Sequence, residues 1–168
     1  MKPTHPDTID LDRFLPYRLS VLTNVVSSTI AEAYQRRFGL SIPEWRVLAV
    51  LARHPGVSAA EVARLTRMDA VAVSRAVARL LAAGRLRRTM ARDDRRRSVL
   101  AVTATGTAVY REVAPLALGY ERELLATLDA AERAALDRAL DALTTRAQAL
   151  SEARVALRQR RPRAARRS

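Results

Sequence analysis

The chain has 168 residues, of which 49% are hydrophobic, enough to bury one sizeable core but not two independent ones. Its formal net charge of +13 favours a polyanionic partner such as nucleic acid. It contains no cysteine, which excludes disulfides, thiol redox sensing and Cys-ligated zinc. The opening "MKPTHPDTID" lacks a signal-peptide core, and no apolar window is long enough to cross a bilayer. We therefore expect a cytoplasmic protein without a membrane partner.

Two helices are predicted in the first third of the chain. Apolar residues recur every three or four positions from Leu15, which predicts a long helix that reaches Phe38 and ends at Gly39. The sequence "SIPE" at 41–44 has the pattern of a capping box, with proline in the first turn. It predicts a second helix as far as His54.

Two shorter helices follow across a tight turn. "SAAE" at 58–61 is a second capping box and begins a helix that extends to about Arg67. Asp69 can cap the next helix, "AVAVSRAVARLLAAG", which ends at Gly84.

A β-hairpin and two further helices complete the chain. "RLRRTM" and "SVLAVT" are short strand patterns separated by the charged loop "ARDDRRR". Helical spacing resumes at about Ala104, and "DAAE" at 129–132 begins the last helix. That helix carries a heptad seam, which favours a partner helix: Leu136, Leu140, Leu143, Ala147 and Leu150. After Glu152 there are seven arginines and no acid, so we expect an Arg-rich disordered tail.

This element order predicts a mainly α protein with a small β-hairpin wing, that is, a winged helix-turn-helix flanked by long dimerisation helices. The expected organisation is an N-terminal dimerisation helix (10–40), a DNA-binding lobe (41–103), C-terminal dimerisation helices (104–157) and the tail (158–168).

In a winged helix-turn-helix, the start of the second helix enters the major groove, here the segment 70–75, and arginines at the hairpin tip reach a minor groove. A twofold dimer would then need a pseudo-palindromic operator with half-sites about 10 bp apart. Base-contacting or groove-facing candidates on the recognition helix are Ala70, Val71, Ser74, Arg75 and Arg79. Wing candidates are Arg92, Asp94, Arg95, Arg96 and Arg97, and phosphate contacts are expected from Ser58, Arg64 and Arg67.

The sequence "VSR" in the recognition helix, the wing "DDRRRSVLAVTATG" and the long flanking helices resemble the MarR family of bacterial regulators, over about residues 15–150. The resemblance implies that Arg95 or Arg96 enters the minor groove and that Asp94 braces an arginine. It also implies that Ser74 and Arg75 lie in the major groove. The chain departs from the family pattern in "AVAV" at 70–73, where apolar contact with thymine methyls would replace hydrogen bonds to bases.

The resemblance also implies dimerisation through the terminal helices and a small aromatic or carboxylate ligand bound between them and the DNA-binding lobe. Tyr17, Arg18 and Trp45 combine aromatic walls with a cation and suit an aromatic acid or its thioester. The alternative is that Trp45 belongs to the core and Arg18 is solvated. The resemblance, together with the charge, predicts a regulator, in particular a repressor that the ligand releases from DNA.

Other interpretations remain open. The arginine-rich hairpin can be a solvated loop, and Arg64, Arg67 and Arg79 can be ordinary surface charges. The chain could instead bind nucleic acid without sequence preference, as an architectural protein. We expect no enzyme and no cofactor, because no catalytic triad, phosphate-binding loop or carboxylate pair is recognisable. With only His5 and His54 available, we expect no metal site.

Overall fold

The computed structural model describes residues 9–90 and 98–160, with side chains of the second range as far as Leu157. These ranges form six helices and one antiparallel hairpin, which confirms the predicted fold class. The elements are α1 (Leu15–Phe38), α2 (Ile42–Arg53), α3 (Ala59–Thr66), α4 (Ala70–Ala82), β1 (Leu86–Met90), β2 (Ser98–Val102), α5 (Ala104–Leu125) and α6 (Ala130–Arg160).

Local capping explains why the helices begin where they do. At α2, the Glu44 backbone N–H donates to Ser41 Oγ at 3.4 Å, and the Ser41 backbone N–H donates to the Glu44 carboxylate at 2.6 Å. Each interaction satisfies a helix-terminal donor that would otherwise lack a partner. The other two predicted capping boxes are also formed, between Ser58 and Glu61 and between Asp129 and Glu132.

The chain divides into two compact units, with the boundary between Tyr120 and Glu121. The first unit holds one hydrophobic core, in which α2 and α4 supply most of the largest fully buried side chains. Val109 and Val113 of α5 belong to the same core. The unit therefore continues past residue 103, where we had expected the DNA-binding lobe to end.

The second unit contains the end of α5 and all of α6. No side chain described in α6 is buried. The predicted heptad leucines are exposed on this single chain: Leu136 38%, Leu140 43%, Leu143 44% and Leu150 49%. The helix ends at Arg160, three residues beyond the predicted limit, so the expected tail from residue 158 overlaps its last turn. Residues 161–168 lie outside the described part of the chain.

An uncovered apolar surface is also present on α1. Only Ala31 and Tyr34 of this 24-residue helix are buried. Its N-terminal half exposes Leu15, Leu19, Leu22 and Val25, with exposed fractions of 39–56%. In the described ranges, no helix combines the length and apolar composition that a membrane crossing requires.

Candidate DNA-binding surface

The turn between α3 and α4 brings two short helices together within three residues. Arg67 ends α3 in the left-handed region at φ 55°, which reverses the chain direction without a glycine. Asp69 then caps α4, since its Oδ1 accepts from the backbone N–H groups of Val71 at 2.8 Å and Ala72 at 3.1 Å. This local chemistry fixes the N-terminal end of α4 at the surface.

The outer face of α4 carries all five recognition-helix candidates. Ala70, Val71, Ser74, Arg75 and Arg79 are exposed, whereas Val73, Ala76, Val77 and Leu80 are buried. Val71 is 56% exposed in the first turn, which is a high value for a valine beside a well-formed core. The exposed face also includes Ala78, which is not among the candidates from sequence although it lies four residues after Ser74. The face combines an apolar N-terminal end with two arginines.

The three candidate phosphate contacts differ in their availability. Arg64 and Arg67 are exposed and form no ion pair within the described ranges. The Ser58 hydroxyl instead donates to the Glu61 carboxylate at 2.8 Å and accepts from the Glu61 backbone N–H at 3.3 Å. Donation to a phosphate would replace the hydroxyl's bond to the Glu61 carboxylate and would leave both capping-box hydrogen bonds in place.

The described part of the wing consists of two five-residue strands. β1 and β2 pair antiparallel with Leu86 opposite Val102 and Met90 opposite Ser98. Leu86 and Leu100 are buried in the core and hold the base of the hairpin. The predicted tip residues, namely Arg92, Asp94, Arg95, Arg96 and Arg97, lie outside the described residues.

A close backbone contact joins the wing to α4 and α5. Thr103 Oγ1 donates to the Gly84 carbonyl at 2.7 Å and accepts from the Gly106 backbone N–H at 3.1 Å. The Thr103 N–H donates to the Arg85 carbonyl at 3.0 Å. A Cβ on Gly106 would overlap that carbonyl oxygen and would lie 2.8 Å from Val102 Cγ1. The sequence "TATG" at 103–106 therefore sets the junction between the helix-turn-helix and the wing.

The three effector candidates do not share one site. Tyr17 and Arg18 line a cavity of about 390 Å³ on α1, together with Asp12, Val21, Leu22 and Val25. Trp45 does not line it. The Trp45 ring packs between Tyr34, with ring centroids 5.8 Å apart, and Tyr110, at 5.7 Å and nearly parallel. Trp45 also packs against the core, as the alternative interpretation of that residue expects.

Ion pairs are few among the described residues of the first unit. The one ion pair among the described residues joins Arg37 to Glu112, both solvent-exposed, and it adds little stability. Within the same ranges, no cluster of three His, Asp or Glu side chains could hold a metal ion.

The chain was compared with known families and solved structures. Residues 38–97 match the sequence model of the MarR family. A MarR/EmrR family transcriptional regulator from Acinetobacter is 26% identical, with a TM-score of 0.77 over 83% of this chain and 99% of that one. Comparison with curated proteins finds no match.

Two further structures, both less than 25% identical, show the same fold. The Streptomyces coelicolor regulator PcaV, solved with its natural ligand, is 24% identical at a TM-score of 0.68, over 83% of this chain and 98% of that one. Staphylococcus aureus MepR, solved with DNA, is 15% identical at a TM-score of 0.73, over 80% of this chain and 96% of that one.

The fold is that of a winged helix-turn-helix protein. It has two short helices across a tight turn, an exposed face on the second helix and a two-stranded wing. Residues 38–97 are similar in sequence to the MarR family of transcriptional regulators, and the described fold is that of the solved MarR/EmrR family regulator.

Proposed function

We propose that the protein is a homodimeric transcriptional repressor that binds a pseudo-palindromic operator and is released by a small aromatic acid or its thioester. The observation that carries the proposal is the outer face of α4, where Val71, Ser74 and Arg75 are exposed beside the capped N-terminus. An arginine donates two parallel hydrogen bonds to guanine, and a valine packs on a thymine methyl. Such a face suits the edges of base pairs in a major groove.

The proposed homodimer rests on the uncovered apolar surfaces. Large apolar side chains exposed at heptad spacing along α6 are costly in water, and a second copy of the same seam would cover them. The exposed N-terminal half of α1 offers a further surface of the same kind. Twofold symmetry would repeat α4 about one DNA turn away, so the half-sites should be about 10 bp apart.

The proposed effector site is the α1 cavity. Tyr17 supplies an aromatic wall and Arg18 a cation, which suit the ring and carboxylate of an aromatic acid. Asp12 lines the same cavity and would accept from a hydroxyl on that ring. The ligand-bound relative PcaV supports a small-molecule effector for this fold. Release from DNA requires that the ligand bind more tightly to a dimer whose recognition helices are wrongly spaced.

The first experiment measures binding of the purified protein to its own upstream intergenic DNA and to a scrambled duplex, across a range of salt concentrations. We expect a preference of about 10³ or more for the upstream duplex. Equal binding to both duplexes with a steep salt dependence would favour the alternative function, a nonspecific nucleic-acid-binding architectural protein. Higher transcription of the adjacent gene after deletion of the regulator would support repression, and lower transcription would contradict it.

Substitutions separate the two kinds of DNA contact. Arg95→Ala with Arg96→Ala should weaken binding and reduce the slope of log K against log salt by about 0.9 for each phosphate that is no longer neutralised. Val71→Ala should weaken binding to the operator more than to scrambled DNA, since it removes an apolar base contact only. The charge-matched control for the double variant is Arg138→Ala with Arg146→Ala, two exposed arginines on α6. An unchanged affinity in the double variant would refute the wing assignment.

A further inference from the structure

The outer face of α4 places an apolar side chain directly beside a cation. Val71 and Arg75 are four residues apart, so they lie one above the other on the same face of the helix. Ala78 continues this face at the next turn, and all three side chains are exposed. Val71 contributes nothing to the core, which α4 fills from its opposite face. We call Val71, Arg75 and Ala78 the α4 stripe.

Few groups at the start of α4 can form hydrogen bonds to a base. Asp69 Oδ1 already accepts from the backbone N–H groups of Val71 and Ala72, so this oxygen is used by the cap. In the segment "AVAVSR" that begins the helix, the side chains with hydrogen-bonding groups are those of Ser74 and Arg75. Recognition by this end of α4 therefore depends on one cation, one hydroxyl and apolar contact.

The major groove presents a specific apolar group to such a surface. Thymine carries a methyl group on C5 that projects into the groove, whereas cytosine does not. Methylation of cytosine at C5 places the same group at the same position. The two methylated pyrimidines differ at the neighbouring atom, where thymine has an acceptor oxygen and cytosine a donor amino group. Val71 has no polar side-chain atom with which to distinguish them, and the Ser74 hydroxyl can donate or accept.

The spacing of the α4 stripe fits neighbouring base pairs. Four residues of α-helix advance about 6 Å along its axis, which is less than two steps of about 3.4 Å between stacked base pairs. A helix along the groove with Val71 on a methyl group therefore brings Arg75 to a base pair within two steps. Guanine is the base to which arginine donates two hydrogen bonds in this groove, at O6 and N7.

We propose that α4 recognises a C5-methylated pyrimidine within two base pairs of a guanine, with Val71 on the methyl group and Arg75 on the guanine, and that 5-methylcytosine can replace thymine there. Recognition of this kind rests on the proposed function, since it specifies what the DNA-binding face reads. A half-site with cytosine at this position is then bound tightly only after methylation. The protein thereby distinguishes methylated from unmethylated DNA.

The test compares duplexes that differ in C5 methyl groups. The upstream intergenic duplex is synthesised with thymidine or with deoxyuridine, which lacks this methyl group and pairs identically. Contact with one methyl group contributes about fourfold in affinity, so its loss from both half-sites of the proposed dimer should raise the Kd about 15-fold. Single replacements of thymine by uracil then locate the position responsible. Cytosine at that position should also weaken binding, and 5-methylcytosine should restore most of the lost affinity.

Three variants assign the effect to side chains. In Val71→Ala, replacement of thymidine by deoxyuridine should change the Kd less than about twofold, because the contact with the methyl group is already lost. In Arg75→Ala, replacement of the guanine by 7-deazaguanine, which lacks N7, should have no further effect, although it weakens binding of the wild type. The control Arg64→Ala removes an exposed cation of α3. It should weaken binding to both duplexes and keep the difference between them. Circular dichroism melting confirms that each variant is folded.

Three results would overturn the proposal while the regulatory function still stands. The first is equal affinity for the thymidine and deoxyuridine duplexes in a protein that prefers both to scrambled DNA. The second is a 5-methylcytosine duplex that binds no better than its unmethylated counterpart. The third is an undiminished effect of deoxyuridine in Val71→Ala. Equal binding to the upstream and scrambled duplexes would instead overturn the proposed function together with the recognition of the methyl group.

Discussion

Gly106→Ala should destabilise the protein although alanine is the better helix former. Gly106 lies in the first turn of α5, where an added methyl group would overlap the Arg85 carbonyl oxygen. That oxygen is held by the Thr103 N–H at 3.0 Å, and the Gly106 N–H is held by Thr103 Oγ1 at 3.1 Å. The backbone must therefore move, because no flexible side chain can turn away from the overlap.

The magnitude follows from three contributions. Overpacking costs about 1–3 kcal/mol, and loss of the two hydrogen bonds costs about 1 kcal/mol each. Replacing glycine by alanine in a helix returns at most about 1 kcal/mol. We expect the free energy of unfolding to fall by about 2–4 kcal/mol in sum.

Urea denaturation followed by circular dichroism, at one fixed protein concentration, measures this change. Thr105→Ala is the matched control, since Thr105 is exposed in the same first turn of α5. Its effect should stay within about 0.5 kcal/mol. If Gly106→Ala is as stable as this control, the close approach of α5 to the Arg85 carbonyl is refuted.

Three further predictions concern stability and assembly. Burial raises the pKa of Tyr34, and the Arg46 guanidinium partly opposes this rise. The neutral Tyr34 side chain therefore stabilises the fold below about pH 10. This stabilisation is lost as the pH rises through the folded-state pKa of Tyr34. Tyr34→Phe should consequently lose less stability than the wild type between about pH 10 and 11 in urea titrations; identical curves would contradict this. Ser41→Ala should lower the unfolding free energy by about 1 kcal/mol, measured in the same assay, and an unchanged midpoint would show that the α2 capping box contributes nothing. Leu143→Arg should convert the proposed dimer to a monomer in sedimentation velocity, whereas the neighbouring Thr144→Arg should not, and a dimer in both variants would exclude the α6 seam as the interface.

The helix boundaries could be predicted because they depend on short-range chemistry. Capping boxes need only a Ser or Asp and a Glu three residues later, as at 41–44, 58–61 and 129–132. The phosphate contact assigned to Ser58 stays a prediction beside its capping role. In the capping box its hydroxyl oxygen accepts from the Glu61 N–H, and its proton forms a separate hydrogen bond to the Glu61 carboxylate.

The contacts between distant parts of the chain could not be predicted in the same way. Trp45 stacks on Tyr110, 65 positions later in the sequence, and Arg87 shares a cavity with Arg111. Both pairs depend on how α2, α5 and the wing pack, which a local pattern of apolar spacing does not record. Residue type alone consequently groups Trp45 with Tyr17 and Arg18, whereas the structure separates them.

Arg85 is a shared attachment point for three helices and the wing. Its guanidinium donates to the Phe38 carbonyl at the end of α1 at 2.5 Å, and its backbone N–H donates to the Leu80 carbonyl of α4 at 2.9 Å. Its own carbonyl accepts from Thr103 immediately before α5. One side chain thus links the end of α1 to the base of the wing, in addition to the core contacts that Ala31 and Tyr34 of α1 make. In mechanical terms, Arg85 acts as a tie that couples the C-terminal end of α1 to the wing and to the start of α5.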